Sequence, residues 1–223
     1  MLVVGDVHGK YNRYYELVKD AKSSFCLGDF GFQDTWYKLY YSDLDNNVHK
    51  VGQGNHDPHD KLTEPGSFGS FVGRFGNIVI PNSPEFFWIG GALSIDMVYR
   101  VVEWLSNNRK SSSKTWFPNE QLDYHEMELC LQEYLKRKPD ILITHTCPDF
   151  LIPNITGGNK PGNIMDRFVW SYDYHDMTSQ FIGKCIKEHR PKKCIFGHFH
   201  TSYHEVVDGV EYVGLAELET VEI

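Results

Sequence analysis

The 223-residue chain has 41% hydrophobic and 14% aromatic side chains, which is enough apolar material for one substantial core. Its 22 Lys and Arg against 30 Asp and Glu give a net charge of −8, so the surface as a whole does not attract a nucleic-acid backbone. No apolar run reaches the roughly 20 residues of a membrane span, and the first residues lack the pattern of a secretory leader. We therefore expect one soluble, cytoplasmic domain over residues 1–223.

The five cysteines are odd in number, widely spaced and without a C-x-x-C pair. This pattern argues against a disulfide framework and against a thiolate zinc site, and it fits a reducing compartment. Most of the cysteines stand beside apolar residues, as in Phe25-Cys26-Leu27. We interpret them as small hydrophobic side chains of the core.

In the first half of the chain, short apolar runs alternate with helix-like segments, which is an α/β rhythm. The predicted buried, parallel strands are Leu2–Val4, Ser24–Leu27 and Val48–Val51, and the predicted helices between them are Tyr11–Lys22 and Thr35–Leu44. Two further extended runs, Asn77–Ile80 and Glu85–Gly90, flank the turn residues Pro81-Asn82-Ser83-Pro84. This spacing predicts a hairpin.

The second half continues the same pattern after a long helix. That helix is predicted over Asn119–Lys138, with Asn119 as N-cap and Glu120 at its positive end. Its apolar stripe, which we expect in the core, comprises Tyr124, Met127, Leu131, Tyr134 and Leu135. The later predictions are strands Ile141–Thr144 and Lys193–Phe196, a helix Thr178–His189, and a hairpin of Tyr203–Val207 with Val210–Gly214.

Two stretches rich in Gly, Ser and Asn are predicted to be long loops, Arg100–Pro118 and Pro153–Asp173. Loops of this length in a compact domain are often lids or binding segments, so we expect lid-like loops near 100–118 and 153–173. Three cations in or beside them, Arg100, Lys160 and Arg167, are candidates to bind a phosphate group.

Metal-ligand residue types follow five separate predicted strands. The blocks are Gly5-Asp6-Val7-His8, Gly28-Asp29, Gly54-Asn55-His56-Asp57, His145, and Gly197-His198-Phe199-His200. Because ligands of open α/β sheets gather at the carboxyl ends of the strands, we expect these residues along one edge. Two divalent cations need a carboxylate that can bridge them, neutral imidazole donors and a short uncharged oxygen ligand, and these blocks supply all three.

The ordered set of blocks resembles the signature of the calcineurin-like metallophosphoesterase superfamily, and it spans Gly5 to His200. The resemblance implies a four-layer α-β-β-α sandwich. It further implies that Asp6, His8 and His200 bind one metal, that Asn55, His145 and His198 bind another, and that Asp29 bridges the two. In this family the residue at His56 faces the substrate and serves the leaving oxygen, and Asp57 is expected to orient that imidazole.

The same resemblance implies that the protein hydrolyses a small phosphate mono- or diester, and a nucleotide or cyclic nucleotide is the favoured substrate. After Asp29 the chain reads Phe30-Gly31-Phe32, without the Asp-Arg-Gly of the protein phosphatases, which disfavours a phosphoprotein substrate. The segment Gly90–Asp96, with Arg100 and the later segment Thr115–Leu122, is similar to small bacterial and phage-type members. Manganese is the expected metal, and iron, zinc or nickel suit the same ligands.

Two other functions stay open from the sequence. The first is a metal-dependent nuclease, which the net charge of −8 disfavours. The second is an inactive protein-binding module on the same fold, which should have lost ligands, and here none is missing. Neither the oligomeric state nor the natural substrate follows from the sequence.

Overall fold

The computed structural model describes residues 1–31, 44–59, 62, 70–106, 116–156 and 176–223. The candidate phosphate ligands Lys160 and Arg167 lie outside these ranges, as do nearly all of the predicted helix Thr35–Leu44 and residues 157–173 of the second predicted loop. None of the described helices is both long and apolar enough to cross a membrane.

The structure describes ten strands, five α-helices and one 3-10 turn in the ranges given above. They are β1 (Leu2–Val4), α1 (Tyr11–Val18), β2 (Ser24–Cys26), β3 (His49–Val51), β4 (Phe75–Ile78), β5 (Phe86–Ile89), α2 (Met97–Ser106), α3 (Tyr124–Arg137), β6 (Ile141–Thr144), a 3-10 turn (Asp149–Leu151), α4 (Ile152–Ile155), α5 (Met177–Glu188), β7 (Lys193–Phe196), β8 (Tyr203–Val207), β9 (Val210–Gly214) and β10 (Thr220–Glu222).

The strands form two mixed sheets. In the first, the order is β10-β1-β2-β3, with β1, β2 and β3 parallel and β10 antiparallel to β1. In the second, the order is β4-β5-β6-β7-β9-β8; β5, β6, β7 and β9 are parallel, and each edge strand is antiparallel to its neighbour. The carboxyl ends of the parallel strands therefore lie at one edge of each sheet.

Three buried clusters define the layers. One cluster, which includes Phe25, Trp88 and Ile143, joins side chains of both sheets and so fills the space between them. A second packs the other face of the second sheet against α3 and α5, and a third packs the other face of the first sheet against α1. The result is the α-β-β-α sandwich that the family resemblance implies.

Several predicted elements are confirmed with small changes at their ends. Strands β1, β6 and β7 and the hairpin of β8 and β9 have the predicted limits, and all five cysteines are buried and free. The predicted hairpin near residue 80 is formed by β4 and β5.

Three predictions about the middle of the chain are wrong. Helix α3 begins after Asp123 rather than Asn119, because the Asp123 side chain accepts the Glu126 N–H while the Glu126 side chain accepts the Asp123 N–H. Tyr124, at the start of the predicted core stripe, is 79% exposed. The predicted loop beginning at Arg100 is helical up to Ser106, within α2.

Candidate metal centre

Seven side chains with metal-ligand chemistry meet where the two sheets present their carboxyl ends. They come from five strands: Asp6 and His8 follow β1, Asp29 follows β2, Asn55 follows β3, His145 follows β6, and His198 and His200 follow β7. The structure thus brings together every residue that the sequence analysis assigns to a metal. The first sheet supplies the carboxylates and the amide, and the second sheet supplies three of the four imidazoles.

The first group consists of Asp6, His8 and His200, whose ligand atoms all lie within 4.8 Å of one another. The Nε2 atoms of the two histidines are 2.8 Å apart, and Nε2 of His200 is 3.1 Å from Oδ2 of Asp6. The hydrogen bond with Asp6 raises the pKa of His200. Two imidazole nitrogens that point at each other beside a carboxylate are arranged to share one cation.

The second group consists of Asp29, His145 and His198, again with ligand atoms within 4.8 Å. All three are buried, and Oδ1 of Asn55 lies 2.8 Å from Nε2 of His145. The other ring nitrogen of His145 is 2.8 Å from the carbonyl oxygen of Leu27, which fixes the orientation of the ring. Asn55 therefore belongs to this group by contact.

Asp29 stands between the two groups. Its Oδ2 atom is 3.8 Å from Nε2 of His8 in the first group and 3.6 Å from Nε2 of His145 in the second. Its Oδ1 atom accepts a hydrogen bond of 2.8 Å from the backbone N–H of His56. Although burial opposes the charged form, the imidazoles of His56, His145 and His8 together hold the pKa of Asp29 below its usual value.

The residues present fit a pair of divalent cations. Asp6 and Asp29 are 0% and 1% exposed, and buried carboxylates are tolerated only when they are paired or bind a cation. Oδ1 of Asp6 and Nε2 of His198 are buried and have no hydrogen-bond partner among the described residues. A buried carboxylate oxygen and a buried imidazole nitrogen without hydrogen-bond partners are available to bind a metal, together with the other ligand atoms of the two groups.

The backbone at this centre is held in an unusual conformation. Four of the seven residues have positive φ angles: His8 at 48°, Asp29 at 47°, His198 at 69° and His200 at 51°. Residues other than glycine rarely adopt this region, and such strain gathers at functional sites. Here the four strained residues follow β1, β2 and β7, where the chain turns into the ligand groups.

His56 and Asp57 have different surroundings. The ring of His56 lies 5.9 Å from that of His8 and contacts the side-chain amide of Asn55. The carboxylate of Asp57 instead accepts hydrogen bonds from the backbone N–H groups of Gly31 and Gly54, at 3.0 and 2.9 Å. Asp57 thus ties the loop after β2 to the loop after β3, and its expected role in orienting His56 stays a prediction.

Arg100 is the one candidate phosphate ligand within the described residues. It lies in α2, where its Nε atom is 2.6 Å from Oδ1 of Asp96. Burial lowers the pKa of His56, the charge of Asp29 opposes this shift, and the positive charge of Arg100 adds to it. The Arg100 side chain is partly exposed, and its role as a phosphate ligand stays a prediction.

Two residues that the sequence analysis did not assign to the site adjoin it. Oγ of Ser94 accepts a 2.9 Å hydrogen bond from Nδ2 of Asn55, and it donates one of 2.6 Å to Oε2 of Glu120. Burial raises the pKa of Glu120 to about 8, while the hydrogen bonds from Ser94 oppose the shift. The only local signal at Glu120 was its charge, which suited a helix start, so its place in the site could not be read from sequence.

Comparison with known proteins identifies the family that most of the chain matches. The chain matches the calcineurin-like phosphoesterase family over residues 1–202. No curated protein matches the chain. A phosphopantetheinyl hydrolase from Mycobacterium tuberculosis has a similar fold, with 11% identity, a TM-score of 0.50, and coverage of 97% of this chain and 89% of that one.

Two more solved structures are similar over most of the chain. GAP50, the anchor in the inner membrane complex of Plasmodium, has 9% identity and a TM-score of 0.44, with coverage of 97% of this chain and 71% of that one. A candidate 5′-nucleotidase from Staphylococcus aureus has 11% identity and a TM-score of 0.48, with coverage of 98% and 48%. The chain therefore spans about half the length of the latter protein.

Proposed function

Because the chain belongs to the calcineurin-like phosphoesterase family, whose members are metal-dependent phosphoric ester hydrolases, we propose that it hydrolyses a small phosphate ester with two divalent cations. The observation that carries the proposal is the position of Asp29. One of its oxygens lies 3.8 Å from His8 in one ligand group and 3.6 Å from His145 in the other. A carboxylate placed in this way can serve two cations about 3.5 to 4 Å apart.

The ligand roles follow from the two groups. Asp6, His8 and His200 would hold the first cation; Asn55, His145 and His198 would hold the second; and Asp29 would serve both. When bound, the cations supply Lewis-acid stabilisation of the phosphoryl oxygens and make a hydrolytic water more acidic. Manganese is our choice for a first assay, and the mixed nitrogen and oxygen donors suit iron, zinc or nickel as well.

The protein side chains near the cations divide the remaining work. His56 borders both the first group, through His8, and the second, through Asn55. From there its ring can donate a proton or a hydrogen bond to the leaving oxygen of the ester. Arg100, in α2, is the described cation that we assign to bind a phosphate oxygen through its guanidinium fork. Asp57 keeps the two loops that carry Asp29 and Asn55 in register.

The net charge of the protein favours a small substrate over a nucleic acid. The net charge of −8 disfavours a polyanion, so a nucleotide or cyclic nucleotide is preferred over a nucleic acid. A nuclease is the alternative that the same metal chemistry permits. An inactive binding module is disfavoured, because no member of the ligand set is missing and the backbone at four ligands is strained.

The direct test is hydrolysis of paired aryl phosphate monoester and diester substrates by metal-stripped protein to which Mn²⁺ is returned. We expect Mn²⁺-dependent turnover of at least one substrate. The ratio of the two rates then directs the search, since preference for the diester favours cyclic nucleotides and preference for the monoester favours nucleotides. Absence of both turnover and Mn²⁺ binding would contradict the proposal.

The matched control is Asp29→Asn, which keeps the shape of the side chain but removes its charge. It should lose most turnover and at least one of two bound Mn²⁺ ions, measured by metal content after gel filtration. A variant as active as the wild type would show that Asp29 does not serve the cations.

A further inference from the structure

Glu120 and Ser94 form a hydrogen-bonded chain that ends at Asn55. Both oxygens of Glu120 are occupied by Ser94: Oε1 accepts the backbone N–H at 2.7 Å, and Oε2 accepts the hydroxyl at 2.6 Å. Oγ of Ser94 in turn accepts a hydrogen bond of 2.9 Å from Nδ2 of Asn55. Glu120 is 2% exposed and Ser94 is 1% exposed, so water does not compete for these bonds.

The direction of these hydrogen bonds sets which end of the Asn55 amide faces the metal ligands. A serine hydroxyl has one proton, and here that proton is given to Glu120. Ser94 can therefore only accept from Asn55, which must present its NH₂ group to Ser94. The carbonyl oxygen of Asn55 is then left facing Nε2 of His145, at 2.8 Å.

From this arrangement we infer that Glu120 and Ser94 are positioning residues that hold the Asn55 amide with its oxygen towards the second ligand group. The inference rests on the proposed function, in which Asn55 binds a cation. The opposite orientation of the amide would bring its oxygen against the hydroxyl oxygen of Ser94 and leave the NH₂ group facing the cation. Neither residue touches the substrate or a cation.

The negative charge of Glu120 is needed to set the direction of these hydrogen bonds. An ionised Glu120 can only accept, whereas a protonated one can donate to Oγ of Ser94 and release the serine proton towards Asn55. The groups that raise the pKa of Glu120 to about 8 are its buried surroundings and then the carboxylates of Asp176 and Asp29. Cations beside Asp29 offset its charge, so bound metal and ionised Glu120 favour one another.

The experiment is a Mn²⁺ titration of metal-stripped full-length protein by isothermal calorimetry, for the wild type and for Glu120→Gln, Ser94→Ala and the double variant. We expect each single variant to weaken at least one of the two binding events roughly 10- to 100-fold. Because both residues act through Asn55, the double variant should be little worse than the weaker single variant. Affinities within twofold of wild type in both single variants would overturn the inference.

A matched control is Glu126→Gln, which also changes a hydrogen-bonded carboxylate to an amide but lies at the start of α3. It should bind Mn²⁺ as the wild type does, and urea unfolding of every variant shows whether the fold is kept. If the wild type binds no Mn²⁺ at all, the proposed function fails and this inference fails with it. If the wild type binds Mn²⁺ and the Glu120 and Ser94 variants bind it equally well, the proposed function stands and this inference alone fails.

A pH comparison separates charge from packing. The ratio of wild-type to Glu120→Gln affinity should be larger at pH 8.5 than at pH 6.5, because the wild-type carboxyl is ionised more fully at the higher pH. A ratio that stays constant over this range would mean that Glu120 acts only by filling space, which contradicts the inference.

Discussion

His56 is the residue that we propose to act on the substrate rather than to bind a metal. Its ring contacts the Asn55 amide and lies 5.9 Å from the His8 ring, yet it is outside both ligand groups. We expect His56→Ala to keep both metal ions and to lose about 10²- to 10⁴-fold in kcat on substrates with poor leaving groups, because a proton donor contributes this much. The measurement is kcat on alkyl and nitrophenyl esters, with metal content determined on the same samples.

The leaving group provides the internal control for this variant. A nitrophenolate leaves without protonation, so the loss on the nitrophenyl ester should be much smaller than on the alkyl ester. Equal losses on both esters would indicate that His56 supports the site in some other way.

Gly54 lies so close to Asp29 that a side chain at this position would not fit. A methyl group at this position would collide with the Asp29 carboxylate and with the Asp29 backbone nitrogen. We expect Gly54→Ala to displace Asp29, to weaken Mn²⁺ binding by tenfold or more, and to lower the free energy of unfolding by about 1 to 3 kcal/mol. Calorimetric Mn²⁺ titration and urea unfolding measure the two effects.

Gly209, in the turn of the β8 and β9 hairpin, is the matched control. It has a φ of 81°, but a methyl group there would meet no atom within 4 Å. Gly209→Ala should therefore cost about 1 kcal/mol through its backbone alone and leave Mn²⁺ binding unchanged. Weakened metal binding in this variant would mean that a loss of stability is enough to disturb the centre.

Which site residues can be read from a sequence depends on how local their signal is. Asp6 with His8, and His198 with His200, stand close together in short blocks after strands, and the structure brings them together as expected. Ser94 and Glu120 are 26 residues apart and meet only because the segment after β5 pairs with the turn before α3. No periodicity or motif encodes such a contact, and the metal roles of the seven residues stay a prediction.

At the level of elements, the start of α3 offers a stability prediction independent of the site. The Asp123 side chain accepts the Glu126 N–H at 2.8 Å, which satisfies one of the free backbone donors of the first turn. We expect Asp123→Ala to lower the free energy of unfolding by about 0.5 to 2 kcal/mol without changing kcat. Urea unfolding and a single ester assay measure the two quantities.

A substitution at the other end of α3 should change the free energy of unfolding in the opposite direction. Lys138 closes the helix with a φ of 48°, a conformation in which glycine avoids the steric cost of a side chain. Lys138→Gly should raise the free energy of unfolding by about 1 kcal/mol, again with unchanged kcat. If neither variant changed the unfolding midpoint, the ends of α3 would contribute nothing to stability.

Elements with a strong local pattern were predictable, and elements made by distant contacts were not. Strands β6 and β7 are short apolar runs with clear ends, and the Asp208-Gly209 turn fixes the last hairpin. Strand β10 was missed because Val221 is its single apolar residue, and its partner β1 lies at the other end of the chain. The start of α3 was misplaced because Asn119 and Asp123 are both good N-caps, and only Asp123 has Glu126 three residues later.

At the scale of the whole molecule, the four layers follow from the alternation of strands and helices together with the family resemblance. The alternation alone indicates parallel sheets with helices outside. That two sheets face each other depends on the packing of Phe25 against Phe86 and Trp88, which are 61 and 63 residues further along the chain. Single-sequence patterns carry no information about such pairing, whereas the match over residues 1–202 does.

The centre joins the two sheets, so bound metal should stabilise the whole molecule. Asp6 and Asp29 follow strands of the first sheet, and His145 and His198 follow strands of the second. Cations held between them are lost when the sheets separate, and a ligand that binds only the folded state adds about 2.7 kcal/mol per site at 100 times its Kd. We therefore expect Tm to rise with Mn²⁺ concentration and to fall when a chelator is added. Asp29→Asn, which weakens the shared ligand, should show a smaller rise; an equal rise in both proteins would place the stabilising ions elsewhere.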